Sequence, residues 1–381
     1  MRKICIVIGS RANYSSIKSA MRAIQENDNL ELQLVLGASA LLDRYGAVAD
    51  QIKEDGFEPL AEVFMLIEGE SPTTMAKSTG VGLMELPTVF ERIRPDIVLT
   101  VGDRFETMAT TLASAYMNIP IAHTMGGEVS GTIDESIRHA VTKFAHIHFP
   151  ASQEAKERII KLGEREQDVY MVGCPRIDLV SDILDDDANL DQSLNEGVGG
   201  KINIQEPFIL LSQHPVTTEY GESEKQITMT LEAIRKTDLP TIILWPNADA
   251  GSEDISRGMR VWREKGLDKK MHFYKNLPID HYVTLMKKTS CLIGNSSSGI
   301  REGAFIGTPV VNIGSRQDNR ERGKNVLDVS YNKEMIFNAL EKQINHGPYE
   351  FEPIYGDGTA GKQIAEVLSI CEWKIQKTIT Y

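Results

Sequence analysis

A succession of short apolar runs, none alternating with polar residues, limits what this chain can become. The clearest fall at residues 4–8, 97–101, 119–123, 169–172, 208–211, 241–245, 291–293 and 309–313. Runs of this length, several rich in Val and Ile, suit strands buried on both faces, as in a parallel sheet covered by helices. Helical patterns lie between them, for example at 15–25, 151–162 and 225–236. Strand and helix in repetition predict an α/β architecture with right-handed crossovers. One stretch breaks the rhythm. Residues 181–206 carry Asp185-Asp186-Asp187 and Gly197-Val198-Gly199-Gly200 with few apolar side chains, and a fresh strand-helix series follows. The pattern predicts two Rossmann-like domains facing across a cleft, at 1–180 and 207–360, joined by an acidic, Gly-rich junction at 181–206. A chain of 381 residues suits two cores of ~150 residues each better than one. Residues 361–381 hold a terminal helix, with Ile364, Val367, Leu368 and Cys371 on one face, placed to pack back on the N-terminal domain.

Charge and cysteine usage narrow the function classes. The chain has 41 Lys and Arg against 54 Asp and Glu, a net charge of −13. Such a chain has no electrostatic footprint for gripping a nucleic-acid backbone, although a few converging cations can still hold a small anion. No apolar run approaches the ~18–20 residues that span a bilayer. The run at 4–8 is too short for a signal-peptide core, and Gly9-Ser10-Arg11 ends it. Cys5, Cys174, Cys291 and Cys371 lie far apart, without a C-x-x-C pair, and read as reduced thiols of a cytoplasmic protein.

Doubly wound sheets bind ligands at the carboxyl ends of their strands, so the residues just after each run carry the functional signal. After the first run comes Gly9-Ser10-Arg11-Ala12-Asn13-Tyr14-Ser15, which is not G-x-G-x-x-G and excludes a tightly held dinucleotide. Arg11 opens the next helix, either as a phosphate ligand or as an exposed loop cation. Gly102-Asp103-Arg104 follows the run at 97–101, and its two charges either neutralise each other or face a ligand separately. The loop after 119–123 carries Glu128, Asp134 and Glu135 among glycines, a composition suited to acid/base work. Asp134 is placed to cap the helix bearing Arg138 and His139.

In the second half, His214 stands at a strand end before proline, as an anion donor or a structural histidine. The loop 246–251 offers polar tips, including Asn247. Gly294-Asn295-Ser296-Ser297-Ser298-Gly299 follows a strand and opens a helix. Its amides and hydroxyls suit a diphosphate, while Glu302, near the first turn, suits the hydroxyls of a ribose. Arg316 adds a cation after the run at 309–313. No metal centre is expected: His139, His146 and His148 lack an H-E-x-x-H pattern or a cysteine partner. No G-x-S-x-G elbow marks a serine hydrolase.

In these motifs the chain resembles the hydrolysing UDP-N-acetylglucosamine 2-epimerases of sialic acid biosynthesis, both bacterial enzymes and the epimerase half of the bifunctional animal enzyme. The carriers are Ser10-Arg11-Ala12-Asn13-Tyr14-Ser15, Gly102-Asp103-Arg104-Phe105, Gly126-Gly127-Glu128-Val129-Ser130-Gly131-Thr132-Ile133-Asp134, Gln213-His214-Pro215-Val216-Thr217-Thr218, Pro246-Asn247-Ala248-Asp249-Ala250-Gly251, Gly294-Asn295-Ser296-Ser297 and Ile354-Tyr355-Gly356-Asp357-Gly358. The resemblance implies a fold like that of B-type glycosyltransferases with UDP in the cleft, no cofactor, and a homodimer or homotetramer. It matches Arg11, Ser15, Arg104, His214, Asn247, Ser296, Ser297, Glu302 and Arg316 to UDP contacts, and Asp103 and Asp134 to acidic positions of the chemistry. It implies anti elimination of UDP from UDP-N-acetylglucosamine to a 2-acetamidoglucal, then hydration to N-acetylmannosamine, with His214 steadying the departing diphosphate.

One slot departs from the pattern. Many members carry glutamate where this chain has Met125. A thioether cannot shuttle a proton, so either Glu128 or Asp134 takes that duty or the sugar differs. The nearest alternative sugar is a UDP-2,4-diacetamido-2,4,6-trideoxyglucose of the legionaminic acid route. A non-hydrolysing epimerase, a glycosyltransferase and an inactive nucleotide-sugar sensor are the further readings.

Overall fold

A computed structural model of the chain describes residues 1–45, 48–69, 71–184, 190, 196–246, 250–275 and 277–380. It divides into two compact units. The first comprises Met1–Glu128, Ile133–Leu179 and Tyr355–Tyr381; the second comprises Val129–Thr132 and Val180–Ile354. The sequence placed the boundaries at 180 and 360. The later one falls at Ile354, and four residues of the loop after the fifth strand belong to the second unit.

The first unit holds a six-stranded sheet: β1 Arg2–Ile8, β2 Leu30–Gly37, β3 Pro59–Val63, β4 Ile97–Val101, β5 Ile121–Thr124 and β6 Ile147–Phe149. The order is β3-β2-β1-β4-β5-β6 and every pairing is parallel. Strand order reverses between β1 and β4, the switch point where such sheets open a crevice. Residues 4–8 of β1 and all of β4 are buried, in keeping with their mostly apolar sequences, with Thr100 the one polar residue among them.

The second unit holds β7 Val198–Gly199, β8 Ile209–Ser212, β9 Thr241–Leu244, β10 Met271–Tyr274, β11 Cys291–Gly294, β12 Val310–Ile313 and β13 Val326–Val329. The order is β13-β12-β11-β8-β9-β10-β7, with β7 alone antiparallel. Its switch point lies between β8 and β11. The expected junction at 181–206 thus contributes the edge strand β7. Residues 185–189 and 191–195 of that junction, including the Asp185-Asp186-Asp187 run, lie outside the described residues.

Two local expectations change. The run at 169–172 forms no strand, only a single bridge from Val169 to His148. The helix expected at 15–25 is two helices, α1 Arg11–Ser15 and α2 Lys18–Gln25, because Ile17 leaves helical backbone at φ −135 and ψ −5. The helix Ala360–Ile370 packs on α2, where a Cβ on Gly361 would stand 2.6 Å from the Ser19 backbone carbon. Asp178 fixes that start by accepting from Ala360 N at 3.0 Å and Gly361 N at 2.6 Å. A carboxylate at a helix N-terminus satisfies amides that have no intrahelical partner.

Candidate functional site

In the first unit the loops after β1, β4 and β5 carry the expected residues. Ser10 caps α1 by accepting from Asn13 N at 3.2 Å, which leaves Arg11 as the first helical residue. Ser15 donates its hydroxyl to Arg11 O at 3.0 Å, one turn back in its own helix. Asn13 ties the β1 end to the β4 end, accepting from Gly9 N at 3.2 Å and donating to Val101 O at 3.4 Å. Arg104 precedes α3, Phe105–Tyr116, and donates from Nε to Glu106 at 2.8 Å. The Asp103 carboxylate accepts from Arg138, on α4, Ile133–Phe144.

Arg138 is the organiser that sequence reasoning left unassigned. It is 1% exposed, and beside the pair with Asp103 it donates to the Glu128 carbonyl at 2.9 Å. One guanidinium therefore binds both acid-bearing loops. The available signal was its place four residues after Asp134, on the same helix face. Asp134 lies inside the first turn of α4, which begins at Ile133, instead of capping it. Glu128 is 3% exposed.

Beneath these loops lies His123, fully buried, with Nε2 2.9 Å from the Gly102 carbonyl. Burial pushes its pKa down to about 3, so it is neutral at physiological pH and braces the Gly102 turn. Met125 takes left-handed backbone at φ +58 and is buried, its sulfur 3.7 Å from the Cys174 thiol. All four cysteines are buried free thiols, and burial raises the pKa of each of Cys5, Cys291 and Cys371.

In the second unit Asn295 is the organiser. It is fully buried at the end of β11. Its side chain accepts from His214 N at 2.7 Å and donates to His214 O at 2.9 Å. Its carbonyl accepts from Arg316 at 3.1 Å and from Gln317 at 2.9 Å. The ends of β8, β11 and β12 are thus locked on one amide residue. Ser296 caps α5, Ser297–Ile306, and shares hydroxyl contacts through Ser298 with Tyr282. Ser297 opens that helix, where amides without intrahelical acceptors face outward and favour an anion. Glu302 is 3% exposed but stands in the second turn, not at the helix start, so it does not compete with an anion there. Asn247 lies outside the described residues.

The segment Val129–Thr132 is seated against the same strand ends. Gly131 N donates to Arg316 O at 3.1 Å, and Arg320 holds Val129 O at 3.2 Å. A Cβ on Gly131 would stand 1.8 Å from the Ser315 carbonyl oxygen, so space alone requires glycine. Among the described residues no group of three metal-ligating side chains forms a site, and no helix is long and apolar enough to cross a membrane.

Known proteins share this layout. A family model described as UDP-N-acetylglucosamine 2-epimerase matches residues 22–369. The UDP-N,N'-diacetylbacillosamine 2-epimerase (hydrolyzing) of Legionella pneumophila is 32% identical over 97% of this chain and 96% of its own. The UDP-N-acetylglucosamine 2-epimerase of Neisseria meningitidis is 28% identical over 98% and 97%. Among solved structures, the Neisseria meningitidis UDP-GlcNAc 2-epimerase bound to UDP-GlcNAc matches at TM-score 0.80, with 18% identity over 96% of this chain and 99% of that one. The Methanocaldococcus jannaschii enzyme in complex with UDP-GlcNAc and UDP matches at 0.82, with 18% identity over 96% and 99%. These likenesses establish the fold as two parallel-sheet α/β domains of the B-type glycosyltransferase kind.

Proposed function

The chain belongs to the UDP-N-acetylglucosamine 2-epimerase family, and from that premise we propose that it hydrolyses UDP-N-acetylglucosamine to N-acetylmannosamine and UDP, for synthesis of sialic acid-type sugars. The observation that carries this reading is the Asn295 lock. By holding the His214 backbone and Arg316 beside the Ser296-Ser297 helix start, it gathers an imidazole, a guanidinium and helix-start amides and hydroxyls as one set of donors for an anion.

The chemistry explains why such donors are needed. The C2 hydrogen of a pyranose has no adjacent carbonyl and is not acidic. When the C1–oxygen bond to UDP loosens, C1 and the ring oxygen share positive charge, and a carboxylate can take the C2 proton. The C2–H electrons form the C1–C2 double bond and UDP leaves with the C1–oxygen pair. Water then adds at C1 and a proton returns to C2 with the opposite configuration. Charge grows on the diphosphate as the bond breaks. His214, Ser296, Ser297 and Arg316 stabilise it more in the transition state than in the ground state, while Arg11, Ser15, Arg104 and Asn247 serve as further nucleotide contacts and Glu302 as the ribose acceptor. Proton transfer falls to Glu128 and Asp134, with Asp103 oriented by Arg138 as the third carboxylate.

A second sugar has its own support. The Legionella relative is named for UDP-N,N'-diacetylbacillosamine, and Met125 with Cys174 forms an apolar pair in place of the glutamate usual in that slot. Proton NMR in deuterated water decides the matter. Incubation with each UDP-sugar should release UDP and a free 2-epimerised sugar carrying deuterium at C2. A product still bonded to UDP would establish a non-hydrolysing epimerase, and UDP release only in the presence of an acceptor sugar would establish a transferase. UDP-sugar binding with no turnover would overturn the enzymatic reading.

A further inference from the structure

Glu106 has no part in the reaction described above, yet it occupies an expensive position. Its side chain is 3% exposed, in the first turn of α3. One carboxylate oxygen accepts from Arg104 Nε at 2.8 Å. The other is buried and has no hydrogen-bond partner among the described residues. A half-satisfied buried carboxylate costs folding free energy, so some other gain must offset it.

The neighbouring backbone is shaped around the same group. A Cβ on Gly9 would stand 2.3 Å from Glu106 Cγ and 3.0 Å from its Cβ and Cδ. These atoms lie near the root of the side chain and cannot swing aside. Gly9 has no positive φ, so its lack of a side chain serves space and not backbone conformation. Gly9 also donates to Asn13, which ties the β1 end to Val101 at the β4 end. The first-unit switch point is therefore packed so that one carboxyl group sits beneath the β1 loop and grips the first residue past the β4 turn. The guanidinium it grips is itself only 13% exposed, and it lies 5.7 Å from the Phe105 ring. A hydrogen bond at Nε sets the plane of the guanidinium, and it is by its plane that a guanidinium matches a pair of phosphate oxygens.

We propose that Glu106 is a positioning residue: seated in the space left by Gly9, it fixes the Arg104 guanidinium in the orientation that receives the nucleotide diphosphate. The proposal rests on the assignment of Arg104 as a nucleotide contact, and the experiment separates the two. Glu106→Met removes the acceptor while filling similar volume. Because the exchange removes one member of a buried pair, some loss of stability is expected, and it is read separately from binding. Glu106→Gln keeps an acceptor oxygen for Arg104.

UDP affinity is measured by isothermal titration calorimetry, with thermal unfolding of each variant alongside. Arg104→Ala and Glu106→Met should each weaken UDP about tenfold, the scale of one charge-assisted hydrogen bond. Glu106→Gln should bind within about threefold of the parent, and Gly9→Ala should behave like Glu106→Met. In the Arg104→Ala background, Glu106→Met should change nothing further, since both act through one contact. Should Glu106→Met alone bind UDP like the parent, or weaken it equally with and without Arg104, the positioning role is wrong and the proposed function stands. Unchanged affinity in Arg104→Ala removes Arg104 from the nucleotide site and overturns the assignment beneath both.

Discussion

The two sheets face the same problem, holding several strand-end loops in register, and they meet it with opposite chemistry. The first unit uses a buried cation: Arg138 pairs with Asp103 and holds the Glu128 carbonyl. The second uses a neutral amide: Asn295 accepts from and donates to the His214 backbone while its carbonyl receives Arg316 and Gln317. A neutral amide suits a place where the ligand brings its own negative charge. It adds no charge that would compete with the proposed diphosphate, and its hydrogen bonds offset the cost of burying it. The cation suits a place where carboxylates must lie close together. It pairs with the Asp103 carboxylate while holding the Glu128 backbone carbonyl. Each organiser thus follows from the charge its loops must manage.

The contrast makes removal of the cation the more damaging change. Arg138→Met takes the guanidinium away from part-buried Asp103 and from the Glu128 carbonyl. Breaking such a pair costs ~3–5 kcal/mol, and turnover should vanish with it. Denaturant unfolding and UDP release measure both. Adding Asp103→Asn should recover much of the stability and none of the activity. If the single variant loses less than ~1 kcal/mol, the charged organiser is no organiser. Asn295→Ala comes next. It strips the His214 N–H and carbonyl of their partner, a penalty of ~1–3 kcal/mol. UDP affinity should fall about tenfold or more, while the first unit's amides keep their hydrogen-exchange protection. A variant that binds UDP normally would show that the second unit's lock is dispensable.

The sequence made some of this legible and hid the rest for physical reasons. Short, mostly apolar runs announced β1, β4, β8 and β12 because both faces of those strands are covered. β3 escaped because it is an edge strand with exposed Leu60 and a half-buried start. β2 escaped because Glu31 and Gln33 interrupt its apolar character near the start. Among the candidate site residues, strand-end position and residue type singled out His214, Ser296, Ser297 and Asp103, the residues the proposed function uses. Asn295 stood inside a quoted motif, Arg138 on the helix after Asp134 and His123 at the end of an apolar run, each without a role, since an organiser is identified by what it reaches in space. Asp134 and Glu302 were each one step out of place: knowing a helix begins nearby does not tell which turn a residue occupies.

Gly131 tests how the acid loop is seated, with a smaller expected effect. Its Cβ would meet the Ser315 carbonyl at 1.8 Å. Gly131→Ala therefore forces a shift of the kind that costs ~1–3 kcal/mol in a packed site. Turnover should drop about tenfold, by displacement of Glu128 and Asp134 on either side, with UDP affinity changed less. Equal loss of both would place the disturbance at Arg316 instead of at the acids.

The mildest test is titration, and it separates the units by the chemistry of their braces. Burial lowers His123, assisted by the positive charge of Arg138 and by His148, and opposed by the Gly102 hydrogen bond and by Asp103; the result is about 3. An unfolded histidine titrates near 6.5. Because the folded value is the lower one, the unfolded chain binds the extra proton, and this contribution to stability is whole above pH 6.5 and shrinks as pH falls toward 3. The loss is up to ~1.4 kcal/mol per pH unit across that window. Glu164 adds a lower step: burial raises it, but hydrogen bonds from His148, Lys143 and Lys377 outweigh that and bring it to about 2, so its contribution fades below about pH 4.5. Hydrogen exchange between pH 6.5 and 4.5 should show the amides around Gly102 losing protection before those around His214, where the bracing side chain, Asn295, has no proton to gain. His123→Asn should flatten the upper part of the stability profile. Equal loss of protection at both switch points would mean that the neutral organiser confers no acid resistance.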